Sequence, residues 1–119
     1  MLLVLGDFKP GDVVRFPFNT ADLSQTPVTL TGGTVKAYKD ADASSEATTG
    51  ITLTTDFDSV TGLHAVAIDT SSDATFYAAG STFWLVLTAG TVDGTSVVGV
   101  VLASFTLQAQ ASVNGAVVS

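Results

Sequence analysis

The chain has 119 residues, no cysteine and a formal net charge of −7 at pH 7. Its length suits one domain, and the lack of cysteine excludes a disulfide framework and any thiolate metal site. Eleven acidic against four basic residues repel phosphate backbones and anionic membranes, so neither nucleic acid nor a membrane surface is expected as a partner.

Seven short segments rich in valine, threonine and aromatic residues recur along the chain, separated by turn-forming clusters. Eighteen threonines and sixteen valines against one glutamate leave little material for exposed helices. This pattern predicts an all-β fold, an immunoglobulin-like antiparallel β-sandwich of about seven strands. We expect a single domain at residues 10–107, between an N-terminal arm at 1–9 and a C-terminal arm at 108–119.

The N-terminal half supplies three of the predicted strands. The opening MLLVL is too short for a signal-peptide core and follows no basic residue, so no export signal is expected. The first strand, residues 12–18, contains Pro17, which indicates a position near a sheet edge. Residues 28–31 and 34–39 are the next two strands, and Gly32-Gly33 between them predicts a sharp turn.

The middle of the chain alternates strands with polar loops. Residues 40–50 are small and polar and predict an exposed loop, and strands follow at 51–55 and 63–69. Residues 71–80 contain Phe76 and Tyr77, which we expect to plug one end of the sandwich. A tyrosine at this place resembles the tyrosine corner of immunoglobulin folds.

The strongest local signal is a long hairpin formed by residues 82–92 and 95–107. Asp93-Gly94 between two β-rich runs predicts a type I′ turn. Paired residue numbers should then sum to about 187, which follows from a two-residue loop at 93–94. This register predicts the pairs Leu85–Leu102, Leu87–Val100, Trp84–Ala103 and Val86–Val101. Both faces of this hairpin are apolar, so the face with Trp84 needs a cover.

Few residues suggest chemistry, and each has a structural interpretation that we prefer. His64 is the only histidine and has no nucleophile motif beside it, which favours an ordinary strand histidine. The loop at 40–46 has alternating oxygen ligands but lacks the turn glycine and terminal glutamate of a calcium loop. Asp56 and Asp58 could face one side, as glycosidase carboxylates do, but turn-forming roles are preferred. No catalytic residue, metal or cofactor is expected.

Trp84 is the only tryptophan. With Tyr38 or Tyr77 it could form a sugar-stacking platform. Packing in the core or in an interface is the preferred interpretation, because Trp84 lies inside a continuous apolar strand.

Four phrases of the sequence are distinctive: GDVVRFPF at 11–18, PVTLTGGTVKAYKD at 27–40, GLHAVAIDT at 62–70 and FYAAGSTFWLVLTAGTVDGTSVVG at 76–99. Together they resemble, over about residues 7–107, the immunoglobulin-like domain of structural proteins from tailed bacteriophages. The resemblance implies a virion protein that assembles in the host cytoplasm. The chain ends at Ser119 where longer members of the family continue, which favours a small stand-alone component over a fibre shaft.

The most concrete expectation is a capsid decoration protein that docks on the major capsid protein, as a homo-oligomer or in many copies. The base or attachment domain of a head or tail fibre is the first alternative, and a carbohydrate-binding module is the second. The terminal arms are too apolar or β-prone for free tails, and each either folds back on its own domain or exchanges with a partner. The predicted partner interface comprises Leu2, Leu3, Val4, Leu5, Trp84, Val86, Val101, Phe105, Val113, Val117 and Val118.

Overall fold

A computed structural model describes residues 3–109 of the chain. These residues form nine strands and two 3₁₀ turns, the latter at Phe57–Ser59 and Thr70–Ser72. The strands are β1 (Leu3–Phe8), β2 (Val13–Asn19), β3 (Leu30–Lys39), β4 (Glu46–Ala47), β5 (Ile51–Thr54), β6 (Leu63–Asp69), β7 (Thr82–Val92), β8 (Thr95–Ser96) and β9 (Val101–Leu107).

The strands form two packed sheets. The larger sheet has the order β1-β9-β7-β3-β4, with β8 paired to β7, and the smaller sheet has the order β2-β6-β5. An immunoglobulin sandwich divides its strands in this way, with B, E and D in one sheet and G, F and C in the other. The predicted immunoglobulin-like β-sandwich is therefore confirmed, with nine strands where about seven were predicted and with one parallel pair, β1 and β9, in an otherwise antiparallel fold. Strands β6 and β7 also begin and end where the sequence predicted them.

Strand β2 is an edge of the smaller sheet, as Pro17 indicated. The N–H of Thr70 donates to the carbonyl of Asp12, and the N–H of Thr20 donates to that of Gly62. The even-numbered residues of β2 therefore bond to β6. Pro17 faces the open edge, where its missing N–H costs no ladder hydrogen bond.

Strand β3 corrects one prediction. Residues 28–31 and 34–39 are not two strands joined by a sharp turn, because Gly32 and Gly33 lie within one strand that pairs with β7 on both sides of them. The register shifts between Thr31 and Thr34, which marks a β-bulge. A Cβ atom on Gly33 would lie 2.7 Å from Leu30 and 2.9 Å from Leu53, so glycine lets the sheets approach closely here.

The N-terminal arm is part of the sandwich. Its residues Leu3–Phe8 form β1, which runs parallel to β9 at the edge of the larger sheet. Leu3, Leu5 and Phe8 pack against the core. The described part of this arm therefore folds back on its own domain, which was one of the two alternatives.

The hairpin turn is the one predicted, but its register holds only near the turn. Asp93 and Gly94 both have positive φ, 50° and 79°, as a type I′ turn requires. The pairs Thr91–Ser96 and Val92–Thr95 follow the predicted sum, and so does Val86–Val101. Residues 97–100 leave the ladder, so Leu87 and Val100 are joined only by one hydrogen bond of 2.9 Å, from the N–H of Leu87 to the carbonyl of Val100.

A bulge beyond Val86 then moves the register by one residue. Leu85 pairs with Ala103 and Trp84 with Ser104, so the predicted pairs Leu85–Leu102 and Trp84–Ala103 are wrong. Leu102 is the extra residue, and every side chain after it changes face. Phe105 consequently stacks on Phe83 in the core, with ring centroids 5.1 Å apart.

Phe76 and Tyr77 close the end of the sandwich near the start of β7, as expected. The Tyr77 ring is buried and lies edge-on to Phe76, at a centroid distance of 4.9 Å. Burial, reinforced by the charge of Asp73, raises the pKa of Tyr77 to about 12. Its hydroxyl donates to the carbonyl of Thr49 at 2.7 Å, which lies 28 residues away. A tyrosine corner bonds only a few residues upstream, so Tyr77 instead tethers the loop before β5.

Candidate interaction surface

The outer face of the larger sheet presents an apolar patch across four strands. Trp84 on β7 pairs with Tyr38 on β3 and Ser104 on β9, and Val86 pairs with Val101. Trp84 is 42% exposed and Val4 on β1 is 77% exposed. We call this patch the Trp84 face, and it comprises Val4, Tyr38, Trp84, Val86 and Val101.

A groove of about 350 Å³ lies on the Trp84 face, between its side chains and the loop that follows β3. The loop contributes the methyl groups of Ala41 and Ala43. Asp40 and Ala41 have left-handed backbones, with φ of 53° and 56°, a conformation that costs a non-glycine residue about 1 kcal/mol or more. Thr82 holds the loop in place, since its carbonyl accepts from the N–H of Asp40 at 2.8 Å and its N–H donates to Asp40 Oδ1 at 3.0 Å. The groove therefore has a fixed rim.

Most charged side chains beside the groove already form an ion pair or hydrogen bonds within the protein. Lys36, which pairs with Val86, forms an ion pair with Glu46, and this carboxylate raises the lysine pKa. Asp42 accepts hydrogen bonds from the N–H and hydroxyl of Ser44, which lower the pKa of Asp42. The Trp84 face is thus an apolar surface with a polar, internally bonded rim, which is the usual anatomy of a protein interface.

The predicted interface residues are only partly together. Val4, Trp84, Val86 and Val101 lie on the Trp84 face, whereas Leu3 and Leu5 point toward the core. Phe105 is 1% exposed, so its predicted place in the interface is wrong, and the bulge at Leu102 is the reason. The remaining predicted residues, Leu2, Val113, Val117 and Val118, lie outside the described residues.

The surroundings of Trp84 exclude one of the positions considered for it, a place in the core. Its side chain is not in the core, and of the two candidate tyrosines only Tyr38 lies beside it, because Tyr77 is buried. The side chain is therefore available to a partner or a ligand.

His64 is completely buried and hydrogen-bonded at both ring nitrogens. Its Nδ1 accepts from the backbone N–H of Asp56 at 3.1 Å, and its Nε2 lies 2.7 Å from the hydroxyl of Thr20. Burial lowers the His64 pKa, and the nearby Asp56 carboxylate only partly opposes this shift. These are the surroundings of a structural histidine, as the sequence indicated.

The two aspartates before β6 form a turn, as predicted. Asp56 and Asp58 have φ of 49° and 56°. The Asp56 carboxylate accepts from the hydroxyl of Thr29 at 2.7 Å and from the N–H of Gly62 at 2.9 Å, and these bonds lower its pKa. Among residues 3–109, no three or more His, Cys, Asp or Glu side chains converge as metal ligands would.

A second groove, of about 510 Å³, crosses the outer face of the smaller sheet. Leu63, Ala65 and Ala67, which alternate with buried residues of β6, line this groove, and their apolar side chains gave no signal of it in the sequence. Arg15 lies at one side and the half-exposed Phe57 near the other. This groove is larger than the one at Trp84, but it has no tryptophan or tyrosine in its lining, the residues that most often dominate binding energy at an interface.

No protein-family model, curated protein or solved structure matches the chain. The described residues contain no helix long and apolar enough to cross a membrane. The resemblance to the phage domain therefore stays a prediction from sequence, and the geometry of the chain has to support any function.

Proposed function

We propose that the chain is a non-catalytic structural protein of a phage virion, most concretely a capsid decoration protein that docks on the major capsid protein through the Trp84 face. The sequence resemblance supports the virion context. Immunoglobulin-like sandwiches occur in many proteins with unrelated functions, so the fold alone does not indicate a function. The support for docking comes from the residues of the Trp84 face.

The observation that carries the proposal is the exposure of Trp84 on a sheet whose other side already holds the core. An antiparallel sheet usually shows water a polar face, whereas the outer face of this one carries the exposed Trp84, Val4 and Val101. Tyr38 beside them is partly exposed, and the polar residues Lys36, Thr82 and Ser104 share the face. Tryptophan and tyrosine are enriched among the residues that dominate binding energy at protein interfaces. The net charge of −7 favours a protein partner over nucleic acid.

The test adds purified chain to phage particles assembled without it and measures the amount that sediments with them. Trp84→Ala should weaken binding by about 30-fold or more, the effect of losing a hot-spot aromatic worth about 2 kcal/mol. Phe57→Ala is the matched control, because Phe57 is a similarly exposed aromatic, 48% against 42%, in the 3₁₀ turn that follows β5 of the other sheet, and it should bind as wild type does. Normal occupancy by the Trp84 variant contradicts the docking face.

Negative-stain microscopy with a labelled copy then locates the chain on the particle. A regular array of label over the head is expected. Label confined to a fibre would replace the decoration role by the base domain of a head or tail fibre. Wild-type chain that binds no particle contradicts the virion proposal.

A second candidate function is carbohydrate binding, and the Trp84–Tyr38 pair specifically favours it. Neighbouring exposed rings on one sheet face can stack on a sugar. Titration of Trp84 fluorescence with bacterial surface polysaccharides tests this candidate. We expect no change, and saturable quenching that Tyr38→Ala abolishes would favour the carbohydrate-binding role.

A further inference from the structure

The loop between β2 and β3, residues 20–29, is fastened to the sandwich by the backbone bond from the N–H of Thr20 to the carbonyl of Gly62 and by two side chains from outside the loop. His64 on β6 contacts Thr20 at the start of the loop, with Nε2 2.7 Å from the hydroxyl. Asp56 binds Thr29 at the other end, with Oδ2 2.7 Å from the hydroxyl. His64 and Asp56 are themselves joined, because the Asp56 N–H donates to His64 Nδ1.

These bonds require a neutral imidazole. Since Nδ1 accepts a hydrogen bond from a backbone N–H, it carries no proton, and the ring proton is on Nε2. Nε2–H then donates to the Thr20 hydroxyl, which in turn donates to the carbonyl of Val28. A second proton on the ring would leave Nδ1–H facing the Asp56 N–H, donor against donor.

We propose that His64 and Asp56 form a pH-sensitive latch, in which protonation of His64 releases the loop at residues 20–29 while the two sheets stay folded. One proton comes from solvent and binds at Nδ1. The imidazolium then competes for the Asp56 carboxylate, whose oxygens hold Thr29 and the N–H of Gly62 in the closed state. To bring Nδ1–H from the Asp56 N–H to the carboxylate, the ring has to turn, and its Nε2–H then leaves the Thr20 hydroxyl. Both ends of the loop thereby lose a side-chain tether.

The other charged or aromatic groups near the His64 ring do not account for the expected pH dependence. From β2, the ring is faced by Phe18, at a centroid distance of 5.0 Å. Asp22, the acid within the loop, accepts from the N–H groups of Ser24 and Thr26, and Asp58 in the neighbouring turn makes no hydrogen bond to the ring. Arg15 lies on β2 at an odd-numbered, outward position. Asp56 is the charged group whose field reaches His64.

The loop is built to move as a unit and to uncover apolar surface. Asp22 organises its interior, and an isolated bridge joins Ala21 to Pro27, so these bonds need not break when the loop leaves the sandwich. Behind the loop lies a hollow of about 210 Å³, lined in part by Ala21, Leu87, Val97 and Leu102. Opening would therefore enlarge an apolar surface at the end of the sandwich, on different residues from the Trp84 face.

Amide hydrogen exchange measured by NMR between pH 7.5 and 5.5, corrected for intrinsic rates, tests the latch in the intact chain. The opening equilibrium of the Thr20 amide, which donates to the carbonyl of Gly62 outside the loop, should rise as pH falls below about 6.5, by up to tenfold per pH unit, because the open state takes up one more proton. The amides of Leu85 and Val86 should keep their protection, and so should the Val28 amide, which donates to the carbonyl of Thr20 within the loop. In His64→Gln, which cannot take up the proton, the Thr20 amide should lose this pH dependence.

Two results overturn the proposal. One is an equal pH dependence of the Thr20 amide in His64→Gln and wild type, and the other is a parallel loss of protection in β7, which means global unfolding. If His64→Gln does not fold, the imidazole ¹⁵N shifts of the wild type decide the question. We expect the ring to be the neutral Nε2–H tautomer at neutral pH and to titrate together with the Thr20 amide. A ring that is protonated at Nδ1 at neutral pH contradicts the latch, and so does a ring that titrates without any response of the loop.

Discussion

Truncation of Phe105 is the sharpest test of the shifted hairpin. Phe105 is 1% exposed, stacks on Phe83 with 5.1 Å between ring centroids and lies edge-on to Phe8 at 6.1 Å. Removing a buried phenylalanine ring costs about 3–5 kcal/mol from lost burial and the cavity left behind. Since domains are stable by only about 5–15 kcal/mol, Phe105→Ala should lose a large share of the total stability.

Urea denaturation followed by circular dichroism measures this cost. With a slope of about 1–3 kcal/mol per molar for a small domain, the midpoint should fall by roughly 2 M. Phe105→Leu keeps most of the buried side chain and leaves a smaller cavity, so it should cost less than Phe105→Ala. Ser104→Ala, on the outer face, should change stability by about 0.5 kcal/mol or less. If Phe105→Ala costs under about 1 kcal/mol, the register continues unshifted past Leu102 and the ring lies on the surface.

Three further outcomes follow from the described contacts. The stability that His64 adds is fully present above pH 6.5, the pKa of the unfolded state, and should be lost as pH falls toward the lowered pKa of the folded state. Asp56, whose pKa is also lowered in the folded state, should lose its contribution to stability only below about pH 3.8. Denaturant titrations of wild type and His64→Gln at several pH values check both expectations. Gly62→Ala should lower the free energy of unfolding by more than about 2 kcal/mol, because φ is 80° and the new Cβ would lie 2.7 Å from Pro27. Gly94→Ala, at φ 79° but with open space around it, should lower it by about 1–2 kcal/mol in the same denaturation assay. Thermal unfolding midpoints with calcium and with chelator should coincide, and a shift of several degrees would reveal a cation bound to the native state.

The sequence predicted those parts of the fold that local chemistry determines. Runs of β-prone residues bounded by turn residues predicted β6 and β7, and the Asp93-Gly94 pair specified the turn between β7 and β8. Pro17 indicated an edge strand because a proline inside a sheet would remove a ladder bond. In each case, residues within a few positions of one another carry the signal.

The register beyond Val86 was not predictable in this way. The segment 100–103, Val-Val-Leu-Ala, is apolar throughout, so alternation gives no indication of which residue faces the core. The choice depends on packing, since only the shifted register buries Phe105 against Phe83 and leaves Ser104 outside. A bulge of one residue therefore reversed the predicted face for the rest of β9.

The candidate site, too, was only partly predictable from the sequence. The sequence indicated the Trp84 face because the predicted hairpin is apolar on both faces. Only one of these faces can pack against the core of the sandwich, so the other face needs a partner to cover it. The rim formed by Ala41 and Ala43 was not predictable from the sequence, since it depends on left-handed backbone in a loop and these residues lie 43 and 41 positions before Trp84 in the chain. The contact between His64 and Thr20 likewise joins residues 44 positions apart.

Strand β7 lets folding and docking be tested separately, because its two faces have different tasks. Phe83, Leu85 and Leu87 are buried, whereas Trp84 stands on the opposite face and is 42% exposed. Truncating Trp84 removes area that the isolated chain leaves largely in water, so its stability should change much less than after Leu85→Ala, which costs about 2–5 kcal/mol. A Trp84 variant with near wild-type stability and lost particle binding would assign the effect to the face, and one that unfolds as readily as Leu85→Ala would show that Trp84 belongs to the fold instead of to an interface.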